Sequence, residues 1–262
     1  MKVVEVFYSI DGEGRRTGAP AIFIRFAGCN LRCDYCDTSY ALAASQADDA
    51  YPDAESVVNK ILSFCKSADR LTLYNLTFTG GEPLLHDDDI IEILKLLNEK
   101  SDYRYSINIE TNGSIDPNPF LEKYLDLERE SLNLHEMFFT FDIKTASAGE
   151  AAKAACFKDS KLVATVSSRL QLMRHIGKMS APADADVMKA VVGSVEDLDY
   201  VRQVYLDLGD KHNDYSWYVS PVFGKIEPKT LVEYVLAHPE LNDWKVQVQL
   251  HKIIWPPQMR GV

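Results

Sequence analysis

The sequence predicts an α/β chain: βα units in succession around a parallel sheet, either closing toward a barrel or left open. Two observations carry that expectation. Apolar, β-branched runs alternate with helix-period segments along the 262 residues. The polar residues able to do chemistry gather at the carboxyl ends of those runs, where barrels and open parallel sheets alike bind ligands.

The elements follow in order. Residues 21–28 (AIFIRFAG) read as a strand, and residues 53–66 (DAESVVNKILSFCK) as an amphipathic helix. Residues 71–81 (LTLYNLTFTGG) form a strand ending in a glycine pair, followed by a helix at 87–100 with acidic residues at its start. Residues 105–113 are a strand, with a short helix after Pro119. Further strands are expected at 137–144, 186–193 and 217–224, and helices at about 195–209 and 228–237. Near-continuous apolar strands fit a sheet covered by helices. Residues 145–185, rich in Ala, Ser and Lys, exceed an ordinary connection and are expected to be an insertion covering the side of the sheet. A helix at 161–177 and a loose end at 178–185 are expected within it, and residues 1–262 are read as a single domain.

Composition narrows the function. Hydrophobic residues at 46% suffice for a sizeable core, and a net charge of −11 argues against a nucleic-acid backbone as partner. No apolar run approaches the ~18 residues of a membrane helix. The opening MKVVEVFYSIDGEG has no apolar signal-peptide region, so a cytoplasmic location with reduced thiols is expected.

Those thiols are unusually placed. Cys29, Cys33 and Cys36 are spaced C-x3-C-x2-C, too tight for an unstrained bridge and odd in number. Thiolates suit zinc or iron–sulfur clusters. Structural zinc wants four ligands, and the nearest further candidates are Cys65 and His86. A [4Fe–4S] cluster also takes four; three would leave one iron open to the amino and carboxylate groups of S-adenosylmethionine. TGGEP at 79–83 ends the next strand. There Gly80 and Gly81 would let the backbone approach a ligand closely, and Glu82 would accept from a cationic amino group. Cys65 and Cys156 lie outside the motif and read as ordinary thiols.

The cysteine spacing with Tyr35 before the last cysteine, together with TGGEP, resembles the radical S-adenosylmethionine superfamily. Gly12-Glu13-Gly14, Gly18, FIRFAGCN and Cys36-Asp37-Thr38 resemble the 7-carboxy-7-deazaguanine synthase family within it. YVSPVFGKIEP at 218–228 and VQLHKIIWPPQMRGV at 248–262 are similar to a clostridial-type branch of that family. The resemblance runs nearly end to end and weakens across 145–185. It implies an incomplete (β/α)6 TIM-like barrel of the radical SAM type, open on one side, with residues 245–262 closing the substrate end.

The resemblance also implies roles. The cofactors are a [4Fe–4S] cluster on Cys29, Cys33 and Cys36, S-adenosylmethionine, and Mg2+ held by Thr38. Tyr35, Asp37, Thr79, Gly80, Gly81, Glu82, Glu110, Lys144 and Ser220 contact the cofactor. The substrate is 6-carboxy-5,6,7,8-tetrahydropterin, met by Ile10, Gly12, Glu13, Gly14, Arg25, His251 and Val262. Within this set Glu13 accepts from pterin N–H groups and Arg25 pairs with the carboxylate. Asp142 and Ser220 depart from the Ser and Gln of the family pattern. A homodimer and a flavodoxin- or ferredoxin-type electron donor are implied as partners, with neither nucleic acid nor membrane. Two rival readings remain: an activase that installs a glycyl radical with the same cluster, and a zinc-binding module without catalysis.

Overall fold

Period-two alternation governs the sheet. In β3 (Leu73–Gly80) and β4 (Arg104–Thr111), Leu76, Phe78, Ile107 and Ile109 face one way and are fully buried against helices. Asn75, Thr77, Thr79, Ser106, Asn108 and Glu110 alternate with them and face the other way, onto a polar interior. The computed structural model describes residues 1–67, 69, 72–128, 134–155, 186–257 and 259–262.

Eight strands form one sheet in the order β1 to β8 without permutation. β1 (Val3–Ile10) runs antiparallel to β2 (Pro20–Phe26), and every later pairing is parallel. The remaining strands are β5 (Leu134–Ile143), β6 (Asp186–Val192), β7 (Tyr215–Pro221) and the two-residue β8 (Lys245–Val246). Among the described residues β8 does not pair with β1, so the curl is a partial TIM-like barrel. The six expected parallel strands are all present. β1 and β8 were not expected and extend the sheet at its two edges.

Helices α1 (Ala54–Phe64), α2 (Asp87–Lys100), α3 (Asn118–Glu128), α4 (Glu150–Ala155), α5 (Val195–Asp207) and α6 (Pro228–Ala237) follow the strands. Asp53 caps α1 by accepting from the Ser56 amide at 2.9 Å, and Ser194 caps α5 through the Asp197 amide. Three aspartates in the first turn of α2 suit its positive end. A last short helix, α7 (Leu250–Ile254), follows β8. Among the described residues no helix is long and apolar enough to cross a membrane. The helix expected at 161–177 and the loose end at 178–185 lie outside the described residues.

The near-continuous apolar pattern holds on one face only. The main hydrophobic cluster takes Ile22, Ile24, Phe26, Phe139, Phe141, Met188, Ala190, Val192, Trp217 and Val219 from the outer face of the sheet and packs them under the helices. The inner face carries most of the polar residues beside a small apolar cluster of Phe138, Val187 and Tyr218, and the loop between β1 and β2 plugs its amino end. There Arg16, 9% exposed, reaches Asp11 Oδ2 at 2.9 Å, Thr77 Oγ1 at 2.6 Å and the carbonyls of Leu76 and Ser106 at 3.2 and 3.1 Å. Arg15 lies 4.0 Å over the Phe138 ring and pairs with Glu136 at 3.1 Å. Arg16 and Asp11 thus satisfy each other and their strand neighbours.

Candidate active site

β2 ends at Phe26 and delivers the chain to Gly28, whose φ of 97° turns it into the cysteine loop. The base of that loop is pinned by Gly28 N to Ala41 O at 2.7 Å and Cys29 N to Leu42 O at 3.2 Å. Its outer side rests on residues 146–155: Asp34 N donates to Ala148 O at 3.1 Å, and Leu31 packs on Ala148 and Ala152. The start of the expected insertion therefore supports the cysteines. All three thiols are free, half-buried and line a cavity of about 660 Å3 at the carboxyl ends of the strands.

The donor set fits a multi-iron cluster. Three half-buried free thiols on one short loop, lining one cavity, are the soft donors that such a cluster takes. The two expected candidates for a fourth zinc ligand are engaged elsewhere. His86 Nε2 meets Ala27 O at 2.8 Å and its ring stacks on Phe26, while Cys65 is buried with its thiol on Ile61 O. Cys156 lies outside the described residues. Burial pushes the Cys33 thiol up to about 11 and raises Cys36 as well, so metal binding must displace their protons. Asn112 Nδ2, 3.6 Å from Cys29 Sγ, adds a donor toward sulfur.

Gly80 and Gly81 line the cavity, yet what demands glycine there is the chain itself. A Cβ on Gly80, at φ 128°, would stand 2.3 Å from Phe26 O, and one on Gly81 would stand 1.8 Å from Gly28 O. These glycines let the end of β3 dock on the cysteine loop. Glu82 differs more from expectation. It is fully buried and does not line the cavity, because Leu84 N at 3.0 Å, Thr111 Oγ1 at 2.8 Å and Asn112 N at 2.7 Å donate to its two oxygens. Its carboxylate ties β3 to β4 and is buried away from the cavity wall.

Burial pushes the Glu82 carboxyl from 4.5 up to about 7, against those three hydrogen bonds and Lys144, which favour the charge. A raised folded value means that its contribution to stability is full below the unfolded value and is lost as pH rises through the folded one. Thermal melts of wild type and Glu82→Gln should therefore show a Tm gap that shrinks steadily between about pH 4.5 and 7. A gap independent of pH would contradict this account.

Beyond the cysteines the walls are charged. Thr79 Oγ1 donates to Glu110 Oε2 at 2.9 Å. Lys144 Nζ lies 2.7 Å from Asp142 Oδ2 and 5.7 Å from the centre of the Tyr35 ring. Lys189, in register with Asp142, stands 4.0 Å from Asp142 Oδ2 and 3.5 Å from Glu13 Oε2. Glu13, Lys189, Asp142 and Lys144 thus alternate in sign across the cavity. Burial opposes charge on both lysines, but the facing carboxylates outweigh it and hold their pKa values above the ordinary lysine range. Burial likewise opposes charge on Glu13, but Lys189, Ser220, His251 and Gln249 together outweigh it and keep the carboxyl below its usual range. Glu13 is thus no solvated turn residue.

At the opposite wall, Arg25 Nε meets Glu5 Oε1 at 2.7 Å and its Nη1 reaches Thr38 Oγ1 at 3.4 Å. Thr38 donates to Asp37 Oδ1 at 3.0 Å. Asp37 pairs with Lys252 at 3.0 Å and faces His251 at 3.8 Å; burial opposes its charge, but these two neighbours hold its carboxyl well below the usual range. The segment after β8 reaches back to the β1–β2 loop. Leu250 N donates to Gly12 O at 3.2 Å, and a Cβ on Gly12 would stand 2.5 Å from His251 Nδ1.

Of the residues singled out in the sequence, Ile10, Gly12, Glu13, Arg25, Tyr35, Asp37, Thr38, Thr79, Glu110, Lys144, His251 and Val262 line the same cavity as the cysteines. Gly14, Glu82 and Ser220 do not line it. Gly14 turns at φ 79° and donates its amide to Gln247 Oε1 at 3.0 Å. Ser220 is fully buried beside Glu13 and favours its charge without an aligned hydrogen bond. Lys189, Gln249 and Asp11 also line the cavity and were missed. A lone lysine inside the apolar run DVMKAVVG was the available signal for the first, since an inward strand position is the place for it. For the rest the sequence offers only position within an already suspect motif.

Residues 23–144 match the model of the Radical SAM superfamily. A 7-carboxy-7-deazaguanine synthase from Clostridium acetobutylicum is 38% identical over 100% of this chain and 99% of its own length. One from Methanospirillum hungatei is 30% identical over 98% of this chain and 86% of its own. Among solved structures, QueE from Escherichia coli superposes with a TM-score of 0.55 at 20% identity, covering 95% of this chain and 93% of that one.

Proposed function

This chain belongs to the 7-carboxy-7-deazaguanine synthase family of the radical SAM superfamily, and on that premise we propose that it converts 6-carboxy-5,6,7,8-tetrahydropterin to 7-carboxy-7-deazaguanine with release of ammonia. The reaction is a ring contraction, a carbon–nitrogen lyase step of queuosine and 7-deazapurine biosynthesis. The superfamily implies a [4Fe–4S] cluster and S-adenosylmethionine, a pair that when bound supplies a 5′-deoxyadenosyl radical able to take a hydrogen atom from the substrate. The observation that carries the reading is the meeting of the three cysteines, Glu13 and Arg25 in one cavity.

The protein's share is placement. Cys29, Cys33 and Cys36 hold the cluster, and Thr79, Gly80, Gly81, Glu110, Lys144 and Tyr35 surround the cofactor. Glu13, kept ionised by Lys189, orients the N–H edge of the pterin. Arg25, with its Nε engaged by Glu5 and its Nη1 by Thr38, offers its remaining N–H groups to the substrate carboxylate. Thr38 is assigned to Mg2+, which takes few protein ligands and keeps its waters. The segment at 245–262, docked on Gly12, keeps bulk water from the substrate end. A homodimer in the cytoplasm, reduced by a flavodoxin- or ferredoxin-type donor, completes the reading.

The test is direct. Anaerobically reconstituted protein with 6-carboxytetrahydropterin, S-adenosylmethionine, Mg2+ and a reductant should yield 7-carboxy-7-deazaguanine by mass spectrometry. Accumulation of 5′-deoxyadenosine without that product would overturn the substrate and leave the activase reading in its place.

A further inference from the structure

β1 carries a bulge whose effect is to turn one carboxylate inward. Val3 stands opposite Phe26 and Glu5 opposite Arg25, so over that step β1 uses two residues where β2 uses one. With unbroken alternation Glu5 would share the outer face with Val3. The extra residue instead gives that face to Val6, 4% exposed in the main core, and sets Glu5 beside Arg25. An opposite-charge pair across two strands is worth about 0.2–1 kcal/mol. That is no more than the about 0.5–1.5 kcal/mol of a ladder hydrogen bond, which a bulge disrupts, so stability alone does not account for the arrangement.

What Glu5 does is fix a guanidinium. Its Oε1 accepts from Arg25 Nε at 2.7 Å and from the Tyr40 hydroxyl at 2.7 Å. Arg25 lies 5.6 Å from the centre of the Phe7 ring and 5.8 Å from that of Tyr40, within cation–π reach of both. Tyr40 is in turn held by the C-terminal segment, with Arg260 3.9 Å over its ring. Phe7, Arg25 and Tyr40 line the cavity, and Glu5 does not. The carboxylate therefore grips the Nε edge from outside the cavity and leaves the Nη end, where Nη1 also meets Thr38 Oγ1 at 3.4 Å, for a ligand. Fixing a long side chain before the ligand arrives removes about 0.5–1.5 kcal/mol of ordering cost at binding.

We propose that Glu5 is a positioning residue that aims Arg25 at the ligand's carboxylate and so sets the preference of the site for a carboxylated ligand. The proposal rests on the pterin reading above. Its sign separates it from a plain countercharge. A carboxylate beside Arg25 repels an arriving anion, so if Glu5 were only a counter-ion its removal would raise the affinity for that anion. If Glu5 orients Arg25, its removal lowers it.

The experiment measures, by calorimetry, binding of 6-carboxypterin and of pterin, which lacks the carboxylate, to anaerobically reconstituted protein with S-adenosylmethionine. Wild type is compared with Glu5→Leu, Glu5→Asp and Glu5→Gln. Wild type should favour 6-carboxypterin by on the order of 100-fold, the scale of hydrogen bonds to a charged group. Glu5→Leu should lower that preference to below about tenfold while affinity for pterin stays within about threefold. Glu5→Asp keeps the charge but withdraws the oxygen by one methylene, and should lower the preference too. Glu5→Gln loses the charge but keeps an oxygen for Arg25 and Tyr40, and should retain most of it. A preference unchanged or raised in whichever of the Leu and Asp variants folds would overturn the proposal. A Glu5→Gln variant that falls as far as those two would overturn it as well. Wild type that binds neither compound, or both alike, would overturn the pterin reading itself.

Discussion

Arg16→Met is expected to destabilise the protein by about 3–5 kcal/mol, the range for removing one partner of a buried ion pair. The guanidinium stitches the β1–β2 loop to β3 and β4 through Asp11, Thr77 and two backbone carbonyls. Without it Asp11, 3% exposed, is left as a buried carboxylate. Domains of this kind hold only about 5–15 kcal/mol in all, so the loss is a large fraction of the whole. The effect should depend on pH. Burial already pushes the Asp11 carboxyl from 3.8 to about 6 against the pull of Arg16. Removing the arginine raises it further, and a raised folded value means stability lost as pH rises through it. Urea unfolding should therefore show the gap between wild type and variant wider at pH 8 than at pH 5. Adding Asp11→Asn to the variant should recover part of it. A gap of the same size at both pH values would refute the role given to Asp11.

Gly81→Ala should disable the cluster while leaving most of the fold in place. The added Cβ would stand 1.8 Å from Gly28 O and 2.3 Å from Gly28 C, both main-chain atoms next to Cys29. Relief requires parting the cysteine loop from β3, and so breaking the Glu82 N to Gly28 O bond of 2.8 Å. Displacing catalytic groups by about 1 Å can cost on the order of 100-fold in rate, and turnover should fall at least that far. Iron content and cluster absorbance after anaerobic reconstitution are the direct readouts. Gly209→Ala is the control: its φ is 53° and nothing lies within 4 Å of the new Cβ. That change should cost about 1–2 kcal/mol of backbone strain and leave iron content alone. Full iron loading of Gly81→Ala would show that the loop tolerates separation from β3.

The parallel strands were legible because their outer faces form apolar runs, which local pattern displays directly. β1 was not, since its burial is mixed along its length and its pairing is antiparallel at an edge. β8, with two residues, is too short to show a period. In the site, the cysteines and TGGEP were legible because their spacing is itself the chemistry. The work of Glu82 was hidden: its partners Thr111 and Asn112 come from the next strand, and only the docked sheet brings them to its oxygens. Arg16 was hidden for the same reason, with Asn75 and Ser106 59 and 90 residues away. Lys189 stood in view inside a strand, but assigning it to the inner face required knowing which way Lys189 and Asp142 point together.

The separation of an apolar outer face from a polar inner one has a consequence for how such proteins diverge. The residues that hold the shell together and the residues that choose the ligand are different sets, interleaved along the same strands. Change in the lumen is therefore only weakly taxed by the need to stay folded, provided that charges arrive or leave in balance. Asp142 illustrates the balance: its carboxylate lies 2.7 Å from Lys144 and 4.0 Å from Lys189, its lateral neighbour on the adjacent strand. Lineages built on this barrel can thus rewrite its interior one neutral pair at a time while the exterior stays ancestral.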